Sequence, residues 1–352
     1  MGRVRFVECL AMGRHGDLPR ANVQGHRGQR LSRQKPGCNI AWSTNTDIEG
    51  QCRKMNFFVI RVGVCFTICI CTMLMTATCQ VATKENGFDN TAAPQFLIPN
   101  WMAEISDSVS LSDLSIPGTH NTMSFYGGNL VQCQTWPIDQ QLKGGIRFLD
   151  IRLRNVNNNL TIHHGPIYQR ANFSKVIRET MKFLTEHPRE TILMRVKEEF
   201  SETNNIHVPV VNYLKQYANW NALWINSKIP LLGQARGKLV ILQDYAGDAI
   251  FIQYNTLNIA DKWKVPTMMH INSKWQNVQE HLNMAAVGNR QTIFLTYSSG
   301  AGVAAYPNAV ARQINPRLLE YLQLRQGQNV RFGMIAMDFP SSMLIKTIIE
   351  FN

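Results

Sequence analysis

The residues of this chain best suited to chemistry fall at the ends of short apolar runs: His120, Asp150, Arg152, His164, Lys197 and Asp338. A neutral imidazole with a pKa near ~6.5 takes a proton from a hydroxyl, and a protonated imidazole gives one to a leaving oxygen. A guanidinium presents a planar fork of donors to phosphoryl oxygens. An aspartate beside a histidine fixes its tautomer and raises its basicity. Such a set supports acid–base cleavage of a phosphodiester. Taken singly, a strand-end histidine is more often a hydrogen-bonded structural residue, and Asp150 can as readily brace Arg152 as take part in a reaction. The recurrence of such endings is what points to a site.

These residues are scattered between positions 120 and 338, so only a fold that gathers strand ends brings them together. From about Pro99, short β-type runs alternate with amphipathic stretches, the pattern of βα units. The expected strands are Leu114–Pro117, Ile146–Ile151, Leu160–Ile162, Thr191–Val196, Lys238–Leu242, Thr292–Thr296 and Phe332–Met337. Helices are expected over Phe173–Glu186, with Val176, Ile177, Met181 and Leu184 on one face, and over Asn315–Leu324, with Leu318, Leu319 and Leu322. This is an α/β chain, and its strands fit a single (β/α)8-type barrel, TIM-like and open to distortion, better than two domains. In a parallel barrel the strand C-termini converge on one face. His163, His207, His270, His281, Trp220, Trp224 and Lys262 belong to no such motif and are expected to be structural or solvated.

The 352 residues are 45% hydrophobic and 17% charged, enough to bury a core and unlike a disordered chain. Lys and Arg (36) exceed Asp and Glu (24) by +12, which would ordinarily raise a nucleic acid or an anionic membrane as partner. Residues 1–79 hold eleven basic and four acidic residues, so the rest of the chain is only mildly basic. Seven of the eight cysteines also precede residue 80, leaving Cys133 alone after it. That excludes a disulfide within the main body. It also argues against a cysteine-ligated zinc site there, since such sites draw on closely spaced Cys and His. Residues 1–54 read as a disordered or spurious extension. Residues 55–79 read as a signal peptide, with basic residues before the apolar run Val62–Ala77 and small residues closing it. A membrane anchor over residues 57–77 is the rival reading, although such a run is short against the ~20 residues needed to span a bilayer. Residues 80–98 read as a linker and 99–352 as the barrel. A secreted protein is expected, with membrane-anchored or cytoplasmic placement as alternatives. The sequons Asn159-Leu160-Thr161 and Asn172-Phe173-Ser174 are compatible with export.

Several motifs, in order, resemble the phosphatidylinositol-specific phospholipase C X-domain family, in the compact, metal-independent type found in bacteria. They are Ser115-Ile116-Pro117-Gly118-Thr119-His120, Phe148-Leu149-Asp150-Ile151-Arg152 and Ile162-His163-His164-Gly165-Pro166. Pro188 to Lys197, Arg236 to Val240 and Gln313-Ile314-Asn315-Pro316 continue the order, and the likeness runs from about Trp101 to Phe339. The resemblance implies that His120, partnered by Asp338, deprotonates the inositol 2-hydroxyl, that Arg152 holds the phosphate, and that His164 protonates the departing diacylglycerol oxygen. Attack from within the substrate would give inositol 1,2-cyclic phosphate. It implies also that Lys197 and Asp261 contact inositol hydroxyls and that Trp263 faces the sugar. Two positions depart from the bacterial pattern. Asn121 replaces an aspartate that supports the general acid, and Asp244 stands where an arginine reaches toward inositol. An Asn121→Asp change is therefore expected to raise activity. His-Asn is shared with the calcium-dependent signalling enzymes, but Arg152 and Lys197 occupy the places of their other calcium ligands, where two cations would repel the ion. Neither a metal nor a cofactor is expected. The implied partner is a phosphatidylinositol-containing membrane surface, with no nucleic acid and a monomeric protein. The competing functions are a head-group-binding protein that has lost turnover and a glycerophosphodiesterase-like barrel, which would need a carboxylate cluster.

Overall fold

Inward-facing side chains alternate along each strand, and in this protein they change from apolar to charged toward the strand C-termini. The computed structural model describes residues 87–201 and 206–352. The strands are β1 (Ile116–Thr119), β2 (Phe148–Val156), β3 (Asn159–His164), β4 (Ile167–Asn172), β5 (Ile192–Glu198), β6 (Leu239–Asp244), β7 (Ile252–Gln253), β8 (Asn258–Ala260), β9 (Phe294–Tyr297) and β10 (Met334–Met337). The helices are α1 (Ile138–Lys143), α2 (Phe173–Glu186), α3 (His207–Tyr217), α4 (Leu232–Ala235), α5 (Ile271–Val287), α6 (Pro307–Gln323) and α7 (Ser342–Ile349).

Eight strands form a parallel array in the order β7-β6-β5-β2-β1-β10-β9-β8. Ile116, Phe148, Leu193, Val240, Leu242, Leu295, Met334 and Ala336 pack into one buried cluster. The alternate residues Leu149, Ile151, Met194, Val196 and Ile241 pack instead with Val176 and Ile177 of α2 and Val210 and Leu214 of α3. The first set fills the barrel interior and the second lies between sheet and helices. Continuing the inward series gives Phe148–Asp150–Arg152, Leu193–Arg195–Lys197, Leu242–Asp244 and Ala336–Asp338. At Gly118 a Cβ would lie 2.6 Å from the Phe148 ring. Glycine there lets β1 and β2 close on that ring.

The barrel is distorted relative to a regular eightfold one. No pairing joins β7 to β8 among the described residues, so the array ends in an open seam. Neither β6 to β7 nor β7 to β8 is bridged by an α-helix. The run expected as a barrel strand at Leu160–Ile162 is part of β3, which pairs antiparallel with β2 and β4 outside the parallel order. The cause is local: Asn157 and Asn158 have φ of 50° and 62°, the two positive values of a type I′ hairpin turn, in which Asn is favoured. Helix α2 has the expected limits, and Asn172 caps it by accepting from Lys175 N. Helix α6 begins eight residues earlier than expected, with Pro307 in its first turn and Val310, Ala311 and Ile314 buried.

The expected extension, signal segment and first part of the linker, residues 1–86, lie outside the described residues. From Gly87 the stretch expected as a linker is packed on the barrel: Phe88 bridges to Pro340, and Asp89 N donates to Phe339 O at 3.0 Å. No helix among the described residues is long and apolar enough to cross a membrane.

Candidate active site

His120 follows β1 and Asp338 follows β10, two strands paired in register through Thr119 and Met337. That pairing sets the side chains beside each other, with His120 Nδ1 2.8 Å from Asp338 Oδ1. Asp338 is 1% exposed, so the carboxylate is held dry and orients the ring. The hydrogen-bond pattern assigns Nδ1 as the donor and leaves Nε2 as the acceptor. Asn121 Nδ2 lies 3.1 Å from that nitrogen. Asn121 adopts φ 42°, a left-handed conformation that Asn tolerates better than most residues, and its backbone N donates to Asp150 Oδ2 at 3.1 Å.

This placement changes the expectation for Asn121→Asp. The side chain faces His120, so a carboxylate there would stabilise the imidazolium and occupy the base. Turnover at neutral pH is expected to fall about tenfold, with the acid limb of the pH–rate profile moved to higher pH. A rate increase on substitution would restore the reading in which Asn121 deprives the acid of support.

Asp150 and Arg152 face inward two residues apart on β2. Arg152 Nη2 donates to Asp150 Oδ2 at 3.2 Å and Nη1 lies 3.7 Å from Glu199 Oε2. Arg195 on β5 donates to Asp150 Oδ1 at 3.2 Å. Burial alone would raise the Asp150 pKa, but the Arg152 and Arg195 charges outweigh it and hold the carboxyl well below the usual range. Asp150 is thus a fixed anion that aims two guanidinium groups.

His164 arrives by a different route from the other strand ends. It is the last residue of the antiparallel strand β3, which returns from the turn toward the rim. Its Nδ1 lies 2.8 Å from Val131 O and 3.0 Å from Ser124 Oγ, and Ser124 Oγ donates to Val131 O at 2.8 Å. A carbonyl and a hydroxyl therefore orient this ring. The two imidazole centroids are 6.2 Å apart, edge to face. Burial first, then the charges of His120 and Arg152, push the His164 pKa down to about 4.

Lys197 is in register between Arg152 of β2 and Asp244 of β6. Asp244 does not stand free: Arg195 Nε and Nη2 reach its Oδ2 at 2.9 and 2.6 Å. Arg195 also donates to Tyr297 Oη at 2.9 Å and lies 4.1 Å over the Tyr254 ring. Asp261 and Trp263 follow β8 at the far side of the rim, both exposed. Lys274 of α5 ties that segment down, its Nζ donating to Tyr297 O at 2.8 Å and Lys262 O at 3.2 Å. Burial lowers the Lys274 pKa to about 8, opposed by Asp261 and Asp338.

The sequence reading overlooked Arg195, Ser124, Glu199, Tyr297 and Lys274. Arg195 carried a usable signal, since it precedes Lys197 by two on one strand and so shares its face. Ser124 and Lys274 sit in a loop and a helix, where no strand alternation marks them.

An incompletely closed parallel barrel with a histidine–aspartate pair, a second histidine and an aspartate-braced arginine on its C-terminal rim is equipped for acid–base chemistry on a phosphodiester. The family model described as "Phosphatidylinositol-specific phospholipase C, X domain" matches residues 108–245. A protein of Listeria monocytogenes named 1-phosphatidylinositol phosphodiesterase is 30% identical over 308 residues, 80% of this chain and 95% of its own length. The mouse PI-PLC X domain-containing protein 1 is 26% identical over 47% of this chain and 58% of its own length. The solved phosphatidylinositol-specific phospholipase C from Listeria monocytogenes superimposes with a TM-score of 0.65 at 29% identity, covering 73% of this chain and 99% of that one. The chain belongs to the phosphatidylinositol-specific phospholipase C X-domain family. Its likeness to the bacterial relative spans more of the chain than its likeness to the mouse protein.

Proposed function

We propose that this protein is a phosphatidylinositol-specific phospholipase C that cleaves phosphatidylinositol, or the inositol phosphodiester of a glycosyl-phosphatidylinositol anchor, without a metal. His120, oriented by Asp338, takes the proton of the inositol 2-hydroxyl. The alkoxide attacks phosphorus, Arg152 balances the charge growing on the phosphoryl oxygens, and His164 protonates the diacylglycerol oxygen as it leaves. The products are diacylglycerol and inositol 1,2-cyclic phosphate. The observation that carries this reading is the pair of imidazoles at 6.2 Å, one bound to a buried aspartate and the other under the field of Arg152. Lys197, Asp244, Asp261 and Trp263 are assigned to the sugar, two carboxylates suiting hydroxyl donors and an aromatic face suiting the ring.

The partner surface is assigned to the same end of the barrel. Leu130, Phe200, Trp263 and Val303 follow β1, β5, β8 and β9 and are 63%, 67%, 54% and 92% exposed. Exposed apolar side chains on the loops that leave strand C-termini suit a lipid surface better than water. A glycerophosphodiesterase-like reading lacks support, since the metal-ligating group found among the described residues, His120, Cys133 and Asp338, holds one carboxylate.

The test compares phosphatidylinositol, its glycan-linked form and its 4,5-bisphosphate in identical mixed micelles containing excess chelator. Each added phosphate brings about −1.5 to −2 charges toward Asp244 and Asp261. Arg195 does not offset this, because Asp150 and Asp244 already engage it. The first two substrates are expected to turn over undiminished by chelator and the bisphosphate at least tenfold more slowly, about 1.4 kcal/mol of transition-state binding. A calcium requirement would overturn metal independence, faster cleavage of the bisphosphate would overturn the placement of the two aspartates, and binding without turnover would favour a head-group-binding protein.

A further inference from the structure

Cys133 is the one cysteine after residue 80, yet the fold surrounds it with ligand-type atoms. A ring nitrogen of His120, Cys133 Sγ and a carboxylate oxygen of Asp338 lie within 4.8 Å of one another. His164 Nδ1 is 4.0 Å from the same sulfur. The thiol and the Asp338 carboxylate are 0% and 1% exposed, and no N–H or O–H group donates to Asp338 Oδ2, the weak Cys133 S–H being the donor beside the carboxylate. A buried carboxylate oxygen served by no stronger donor than a thiol is costly and calls for an explanation. Spacing along the chain argued against a cysteine-ligated metal here, whereas the site is assembled from a strand end, a loop and a second strand end more than 200 positions away.

We propose that His120, Cys133 and Asp338 form an inhibitory site for a thiophilic divalent cation of the zinc class, with His164 able to close on it as a fourth ligand. Sulfur, imidazole nitrogen and carboxylate oxygen are the donors that tetrahedral zinc takes, at ~2.0–2.3 Å from the metal. Those bond lengths put neighbouring ligand atoms roughly 3.3–3.8 Å apart. The His120–Asp338 contact of 2.8 Å would open by about half an ångström and the sulfur would move in by up to ~1.3 Å. Calcium seeks six to eight oxygens and finds no such set here.

The charges and protons balance without any redox step. In the metal-free protein the buried thiol carries its proton. Metal binding breaks the S–H bond and releases that proton to solvent, moves the His120 Nδ1 proton to Nε2 so that the ring stays neutral, and forms S–metal and N–metal bonds. Thiolate and carboxylate then neutralise the dication, so the nearby Arg152 guanidinium meets no net charge. The cation takes the aspartate that orients the base, and proton abstraction stops. The inhibition rests on the proposed function, whereas the binding does not.

Cobalt(II) added to the purified full chain is the direct probe, with zinc as competitor. Because seven further cysteines precede residue 80, the reading is the difference between wild type and Cys133→Ala, with Cys133→Ser as a size-matched second variant. A near-ultraviolet thiolate-to-cobalt band, one equivalent per chain, is expected in the difference spectrum and should be displaced by zinc. Micromolar zinc should lower phosphatidylinositol turnover at least tenfold, reversibly with chelator, while equal calcium does not. In both variants the zinc needed should rise at least tenfold, each measured against its own metal-free rate. Absence of the difference band overturns the site, whether or not the protein is active. A band without inhibition keeps the cation site and overturns its inhibitory role.

Discussion

Alanine at His164 is expected to lower turnover of phosphatidylinositol by 10²-fold or more, and alanine at His120 by at least as much, the usual scale of general acid and base catalysis. The two losses differ in their pH dependence. His120 must be neutral to accept a proton, whereas His164 must be protonated to give one, against burial and the charges that lower its pKa to about 4. A bound phosphodiester anion opposes those charges, so the proton enters with the substrate. The wild-type kcat, which reports the substrate complex, is therefore expected to fall as pH rises above neutrality, and His164→Ala should lose that limb. The same depression acts on stability, with a definite sign. An unfolded imidazole near ~6.5 binds its proton before the folded His164 does, so the unfolded state gains protons and stability falls as pH drops from ~6.5 to about 4. Thermal melts across that window should decline in wild type and decline less in His164→Ala. A His164→Ala protein with nearly full turnover would exclude the residue as the acid.

At Arg152 the expected loss is larger, about 10³-fold in kcat for Arg152→Met, the upper end for removing a donor aimed at developing charge. Truncation also leaves Asp150, a buried anion, with Arg195 and the Asn121 backbone as its hydrogen-bond donors. Substrate in the ground state is already anionic, so part of the effect falls on KM, but the charge that grows at phosphorus makes kcat the main casualty. Lysine supplies charge without the planar fork, so Arg152→Lys is expected to remain about 10²-fold below wild type. Steady-state kinetics on mixed micelles separate the two parameters. An Arg152→Lys protein within fivefold of wild type would mean that the phosphate needs a charge there and no fork.

The half of the site that the sequence made legible is the half built on strand alternation. Asp150 with Arg152, and Asp338 after Met337, are polar residues continuing an inward apolar series, and a period of two betrays them. His164 was found by its motif, although its strand is antiparallel and outside the barrel order. The short strands β7 and β8, of two and three residues, lie below what a periodic pattern can reveal. Arg195 escaped because an apolar stretch with one arginine reads as a buried strand, and its partners Asp244 and Tyr297 come from other strands. Cys133 and Ser124 escaped for a different reason. Their relation to the histidines is set by how the loop after β1 folds back on β3, and no local spacing encodes that.

The central claim is that the substrate's own hydroxyl attacks phosphorus, driven by His120 and completed by His164. Phosphorus NMR of the purified protein acting on phosphatidylinositol vesicles in excess chelator follows the first product directly. The account predicts that inositol 1,2-cyclic phosphate appears first and that His120→Ala abolishes it. Acyclic inositol phosphate as the first product, or no product until calcium is restored, would contradict it.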